Sequence, residues 1–90
     1  MIQHVTLHIS GKVQGVFYRA STKNKADELG VKGFVQNEPD GSVYIEAEGT
    51  AEQIESLMKW CRQGPPHANV TEVKVSSGQI RHFEKFEIRK

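Results

Sequence analysis

The chain switches repeatedly between two spacings of apolar residues, and this switching limits its fold more than any other feature of the sequence. Residues 4 to 10 alternate polar and apolar side chains, which predicts a strand with one buried face. From Tyr18 to Leu29 the apolar stripe follows the helical repeat instead, and Gly30 is suited to end that helix. A strand followed by a helix is therefore the first unit of the fold.

The next segment predicts a β-hairpin. Val31 to Asn37 is rich in β-forming residues, and Glu38 to Gly41 has the composition of a tight turn. Ser42 to Glu48 then alternates again, with Val43, Ile45 and Ala47 facing inward. The side chains expected on the outer face of this second strand are Tyr44, Glu46 and Glu48.

A second helix and two further strands complete the chain. Thr50 and Gln53 have the spacing of a capping box, and Gly64 to Pro66 ends the helix that follows. The core stripe of that helix consists of Ile54, Leu57, Met58 and Cys61. Val70 to Val75 and Phe83 to Arg89 predict two strands separated by a polar loop.

The predicted order is β-α-β-β-α-β with an added C-terminal strand. This order indicates an α+β fold of the ferredoxin-like, split βαβ type, with an antiparallel sheet and two helices on one face. Ninety residues suffice for one such domain, and we expect it to span residues 1–90. Because this architecture carries many unrelated functions, the function has to be argued from specific residues.

Composition excludes several classes of protein. The 12 Lys and Arg residues nearly balance the 11 Asp and Glu residues, which argues against a mainly electrostatic nucleic-acid or membrane binder. Cys61 is the only cysteine, so no internal disulfide can form. The first residues lack the apolar core of a signal peptide, and no run approaches the ~20 apolar residues of a membrane span. We expect a cytoplasmic monomer that binds neither nucleic acid nor membranes.

The stretch "GKVQGVFYR", Gly11 to Arg19, has the properties of an anion-binding turn. The first N–H groups of a helix lack partners, and Gly15 allows the backbone close to a ligand. Arg19 in the first helical turn opposes the helix dipole, but its guanidinium can bind two phosphate oxygens. The same residues also fit a plain connection with a solvated Arg19, and by themselves they leave both interpretations open. The phosphate-binding GxxxxGK[ST] pattern and a cysteine-phosphatase loop are both absent.

Two motifs resemble those of the acylphosphatases, small enzymes that hydrolyse the carboxyl-phosphate bond. "GKVQGVFYR" resembles the family signature G-x-V-Q-G-V-x-[FY]-R. "GFVQNEPDGSV", Gly33 to Val43, resembles a second family segment, G-[FWY]-V-x-N-x-x-D-G-x-V. The segments "GPPHANV" and "FEIRK" are also similar to the family pattern, so the resemblance spans nearly the whole chain.

The resemblance implies a site and a reaction. Backbone N–H groups of the loop and the side chain of Arg19 would bind phosphate, and Asn37 would position the attacking water. The substrate-binding residues implied are Gln14, Gly15, Val16, Phe17, Tyr18 and Arg19. The substrate would be a small-molecule acyl phosphate and the product inorganic phosphate, with no metal, organic cofactor or covalent phosphoenzyme.

Two residues depart from the family pattern. Phe34 stands where many relatives have Trp, a conservative change of a core aromatic residue. Glu38 follows Asn37, where a small polar residue is frequent, and a carboxylate pointing into the pocket would repel a phosphate dianion. We expect Glu38 to face solvent in the turn.

The histidines invite a metal-site hypothesis, which their spacing does not support. His4 and His8 share a strand face about 13 Å apart, too far for Zn–N bonds of ~2 Å to bridge. We expect them to be polar residues on the open face of the sheet. Glu46 and Glu48 lie on the outer face of a strand as well, and without a cleft there we do not expect them to act as a catalytic carboxylate pair.

Two other functions deserve comparison. RNA-recognition modules share this fold, but they present stacking aromatic residues on central strands, and the first strand shows His and Thr on its outer face. Acylphosphatase-like domains also occur inside larger carbamoyl-transfer proteins. This chain starts at Met1 and stops after its last strand, which favours a free-standing enzyme.

Overall fold

The computed structural model describes residues 1–89, so Lys90, the last residue of "FEIRK" and of the expected domain, lies outside the described part. The elements are β1 (Ile2–Lys12), α1 (Tyr18–Leu29), β2 (Lys32–Asn37), β3 (Val43–Thr50), α2 (Ala51–Gln63), β4 (Asn69–Ser77) and β5 (Phe86–Arg89). This order confirms the predicted ferredoxin-like α+β fold. The last strand begins at Phe86 rather than Phe83, because residues 78–85 follow a different path.

The five strands form one sheet in the order β4-β1-β3-β2-β5. The pairs β1–β3, β1–β4 and β2–β3 are antiparallel, whereas β2 and β5 are parallel. The prediction of an antiparallel sheet is therefore wrong for β5, the edge strand that pairs in parallel with β2. After β4 the chain crosses the outer face of the sheet, where Gly78 N–H donates to His4, and then returns beside β2. Such a crossing gives β5 the direction of β2.

Both helices cover the other face of the sheet, which bears fully buried Leu7, Ile9 and Ile45. The predicted capping box of α2 is present: Gln53 N–H donates to Thr50 Oγ1 at 3.2 Å, and Thr50 N–H donates to Gln53 Oε1 at 2.8 Å. Within residues 1–89, neither helix is long and apolar enough to cross a membrane.

The outer face is partly buried, contrary to the expectation that it is open. His4, Glu46 and Glu48 are only 5%, 7% and 4% exposed, because residues 78–85 lie across them. Glu48 accepts the backbone N–H groups of Arg81 and Phe83, and the Phe83 ring stacks on His4 with centroids 6.0 Å apart. A polar strand face has thus become a second, smaller buried layer.

Candidate active site

A pocket of about 300 Å³ lies where β1 passes into α1. It is lined by Val13, Gly15 and Phe17 of the connecting loop, Tyr18, Arg19 and Ala20 of α1, Asn37 of β2 and Ile88 of β5. Arg19 and Asn37, the two residues expected to be catalytic, therefore share one pocket although they belong to different elements.

The loop backbone alternates in handedness beside this pocket. Gly15 has φ 73° and Phe17 has φ 64°, whereas Val16 between them has a negative φ. Alternation of this kind turns successive N–H groups toward one concavity that suits an anion. No backbone N–H from residue 14 to residue 20 donates to an acceptor within residues 1–89. The loop and the first turn of α1 thus present a row of available donors.

Side chains of the loop alternate between the core and the pocket. Val16 and Tyr18 are buried, and the Tyr18 hydroxyl donates to the Cys61 carbonyl at 2.6 Å. Phe17 is 78% exposed and caps α1 in the left-handed region without a side-chain hydrogen bond. A bulky residue in that region costs about 1–2 kcal/mol, and strain of this kind clusters at functional sites. The two buried anchors therefore hold a strained backbone in place.

Gly15 is required by its backbone conformation and not by lack of space. A Cβ atom added at Gly15 would have no heavy atom within 4 Å, but φ 73° disfavours L side chains. The open space above Gly15 also leaves its N–H reachable from the pocket.

Arg19 is held by one neutral acceptor. Its Nη1 atom donates to the carbonyl of Arg89 on β5 at 3.1 Å. Within residues 1–89 it makes no ion pair with a carboxylate, unlike Lys23 and Lys25 farther along α1. The guanidinium is therefore oriented by β5 while its charge stays available for an anion.

Asn37 carries a polar atom without a partner. Its side chain extends to the same face of β2 as buried Val35, toward the helices. The Oδ1 atom is buried and has no hydrogen-bond partner among the described residues. Leaving such an acceptor unsatisfied costs about 1–3 kcal/mol, which a donor entering the pocket would recover.

Glu38 lies away from the pocket, as expected. Its carboxylate accepts from Gln36 Nε2 at 3.3 Å, on the face of β2 opposite Asn37, and Glu38 does not line the pocket. The departure from the family pattern at this position therefore places no negative charge in the pocket.

Three of the expected substrate-binding residues direct their side chains elsewhere. Gln14 donates to carbonyls of the β2–β3 turn, Val16 packs in the core, and the buried Tyr18 side chain donates to the Cys61 carbonyl. The sequence did not indicate that Val13, Ala20 and Ile88 also line the pocket. Ala20 had a signal, since a helix that starts at Tyr18 leaves the N–H of Ala20 unpaired.

Cys61 is not available as a nucleophile at neutral pH. It is fully buried on α2, and burial raises the pKa of its thiol to about 12. A thiol in this state is inert, since the thiolate is the reactive form.

Comparison with known proteins identifies the family. Residues 5–88 match the acylphosphatase family model. The chain belongs to the acylphosphatase family. The acylphosphatase of Nitrosococcus oceani is 47% identical over 89 residues, which cover 99% of this chain and 100% of that relative. The solved structure of an acylphosphatase from Coxiella burnetii is similar with a TM-score of 0.94 at 36% identity, covering 98% of this chain and 93% of that chain.

The same fold also occurs within a much longer protein. The crystal structure of full-length HypF, in its phosphate- and nucleotide-bound form, is similar with a TM-score of 0.89 at 29% identity. All of this chain is covered, but only 12% of HypF. Members of the acylphosphatase family and part of HypF thus share this architecture.

Proposed function

We propose that this member of the acylphosphatase family hydrolyses acyl phosphates at the pocket shared by Arg19 and Asn37. The supporting observation is that a cationic side chain and an amide oxygen without a partner in residues 1–89 line one pocket, beside a row of N–H groups that are likewise unbonded in that range. The products are a carboxylate and inorganic phosphate.

Phosphate binding is assigned to the loop and Arg19. The N–H groups between Gln14 and Ala20 donate to the phosphate oxygens, aided by the positive end of the α1 dipole. The guanidinium of Arg19 binds two of those oxygens in its planar fork. Phe17 and Ile88 are exposed beside the phosphate position and can contact the acyl group.

We assign to Asn37 the role of positioning the attacking water. Its Oδ1 atom accepts a hydrogen from the water, and because a neutral amide is not a base, it orients the nucleophile without deprotonating it. The water oxygen attacks phosphorus, the bond from phosphorus to the acyl oxygen breaks, and the carboxylate leaves with the electron pair. The protons of the water remain with the phosphate product or pass to solvent.

Positioning and charge stabilisation suffice for this step. Phosphoryl transfer has a loose transition state, and a carboxylate leaves without a strong general acid. Arg19 and the loop N–H groups supply the charge stabilisation, so we expect activity without a metal ion, an organic cofactor or a covalent phosphoenzyme.

The direct test is hydrolysis of benzoyl phosphate by the folded chain in the presence of EDTA, followed by release of inorganic phosphate. We expect turnover well above the spontaneous rate and competitive inhibition by inorganic phosphate. A folded protein that gives only the background rate contradicts the proposal.

We further propose a cytoplasmic monomer. A buried free thiol at Cys61, with no second cysteine in the chain, fits a reducing compartment. Light scattering coupled to size exclusion measures the oligomeric state, and a mass near 10.1 kDa is the expected result.

The RNA-binding alternative finds little support on the outer face of the sheet. The guanidinium of Arg89 lies 3.9 Å from the ring centroid of Phe34, and Phe83 contacts the same ring edge-on. The ring face that would stack on a base is therefore occupied by the protein itself. Tight, salt-sensitive binding of a short fluorescent RNA would revive this alternative.

A further inference from the structure

The side chain of Gln14 connects the phosphate loop to the hairpin that carries Asn37. Its Nε2 atom donates to the carbonyl of Glu38 at 2.8 Å and to the carbonyl of Ser42 at 2.9 Å. Both hydrogens of the amide are thus used on the two ends of the β2–β3 turn. Glu38, one of the two acceptors, directly follows Asn37.

The turn does not need Gln14 for its own shape. Glu38 N–H donates to the carbonyl of Ser42 at 2.9 Å, and Gly41 N–H donates to the carbonyl of Glu38 at 3.1 Å. The carboxylate of Asp40 accepts both the N–H and the hydroxyl of Ser42. Because a carbonyl oxygen has two lone pairs, Gln14 adds a second bond to acceptors that the turn already uses.

Gln14 provides the only direct hydrogen bonds between these two parts of the site within residues 1–89. No other side-chain or backbone hydrogen bond in that range joins residues 13–19 to residues 37–43. Arg19 contacts β5, and Tyr18 contacts α2. The separation between the loop and Asn37 is otherwise set indirectly, through β3 and through the packing of α1 against β2 and β5.

We propose that Gln14 is a positioning residue that fixes Asn37 relative to the phosphate loop. This inference rests on the proposed function. The phosphate contacts belong to the loop and Arg19, whereas the water contact belongs to Asn37 on the other side of the Gln14 bridge. Losing the bridge therefore displaces the water relative to phosphorus and leaves the phosphate contacts in place. A misplacement of about 1 Å at a reacting atom is enough to slow a reaction about 100-fold.

The test uses Gln14→Met, which keeps the length of the side chain and removes both donors. For benzoyl phosphate we expect kcat to fall about 10- to 100-fold, while the inhibition constant of inorganic phosphate stays within about threefold. Gln14→Asn keeps the amide but is one methylene too short to reach both carbonyls. Gln14→Asn should likewise lower kcat and leave the inhibition constant of phosphate nearly unchanged. It replaces Gln14→Met if that variant is unfolded under the assay conditions.

Gln53→Met is the matched control. Gln53 also uses its amide in a structural hydrogen bond, at the start of α2 and away from the pocket. We expect it to lower the free energy of unfolding while kcat stays within about twofold of wild type. A purely structural role of Gln14 would give the same result as this control.

The outcomes separate the inference from the function on which it rests. If the wild-type protein is active and both Gln14 variants have the same kcat as wild type, the inference about Gln14 is overturned and the proposed function stands. Weaker phosphate inhibition with unchanged kcat also overturns it, since Gln14 would then shape the phosphate loop. Absence of turnover by the wild-type chain overturns the proposed function and this inference together.

Discussion

The Nδ1 atom of His4 lies 2.7 Å from a carboxylate oxygen of Glu48, and both side chains are buried beneath residues 78–85. The same carboxylate accepts the backbone N–H groups of Arg81 and Phe83. One side chain of β3 thus fastens the segment that leads into β5, which carries Ile88 and the Arg89 carbonyl to the pocket.

Glu48→Gln should destabilise the protein, most clearly at neutral pH. Burial raises the pKa of Glu48, but the hydrogen bonds from Arg81, His4 and Phe83 outweigh it and hold that pKa below its usual value. The stabilisation is therefore present above the unfolded-state pKa of about 4.3 and is lost as the pH falls through the lower folded-state pKa. We expect a loss of about 2–3 kcal/mol at pH 7, since the hydrogen bonds that a buried charged carboxylate accepts are replaced by weaker ones to a neutral amide.

Urea denaturation of wild type and Glu48→Gln across the acid range measures this effect. At pH values below the unfolded-state pKa of about 4.3, the free energy of unfolding of the variant should depend less on pH than that of wild type. Glu55→Gln is the control, because Glu55 is exposed and its pair with Lys59 is a surface pair. Equal pH dependence in wild type and Glu48→Gln would show that Glu48 does not fasten the segment.

Arg19→Gln should abolish phosphate binding and activity together. Removal of one charge-stabilising donor commonly lowers the rate by about 10²–10³-fold. Arg19→Lys should recover only part of the rate, because an ammonium group cannot bind two oxygens in a fork. Kinetics with benzoyl phosphate and the inhibition constant of inorganic phosphate measure both effects. Arg62→Gln, at an exposed arginine of α2, should retain wild-type values; an active Arg19→Gln variant would remove Arg19 from the mechanism.

Asn37→Ala should separate turnover from binding. We expect kcat to fall about 100-fold, because the attacking water loses its acceptor, while phosphate inhibition stays within about threefold. Gln36→Ala is a close control, since Gln36 is the preceding residue of β2 and extends to the opposite face. Near wild-type turnover in Asn37→Ala would contradict the water-positioning role.

Tyr18→Phe should affect stability and spare activity. The variant loses the 2.6 Å bond to the Cys61 carbonyl, at a cost of about 1–2 kcal/mol in the free energy of unfolding. Burial, followed by the interaction with Cys61, raises the pKa of Tyr18 well above its usual value. Its contribution is therefore present below the unfolded-state pKa of about 10 and is lost as the pH rises above it.

Chemical denaturation at alkaline pH checks this prediction. The free energy of unfolding of Tyr18→Phe should fall less steeply above pH ~10 than that of wild type. Its kcat at neutral pH should stay within about twofold of wild type, because the Tyr18 hydroxyl donates to the Cys61 carbonyl on α2. A large loss of kcat in a folded variant would assign the hydroxyl a role in catalysis.

Local signals explain why the sequence predicts most of the fold. The start of α1, the Thr50 capping box and the Gly64 stop depend on neighbouring residues, so they could be identified from short patterns. The shared pocket of Arg19 and Asn37 was expected from two motifs that resemble a family, not from spacing alone.

What the sequence did not predict depends on the path of residues 78–85. The burial of His4 and Glu48, and the parallel pairing of β5, follow from where this polar segment crosses the sheet. Its composition resembles that of any solvent-exposed loop, and its acceptors lie more than thirty residues away in the chain. The two hydrogen bonds of the Gln14 side chain could not be predicted for the same reason, since they span 24 and 28 residues of the chain.

The position of β3 between β1 and β2 has a consequence for refolding. The phosphate loop extends from β1 and Asn37 ends β2, and β3 lies between these two strands in the sheet, so the native distance between them requires β3 to pair with both. The β2–β3 pair closes a short turn, whereas the β1–β3 pair must join distant parts of the chain, and such contacts form slowly. Recovery of hydrolysis after dilution from denaturant should therefore lag behind recovery of helical signal, and should report when the central strand has docked.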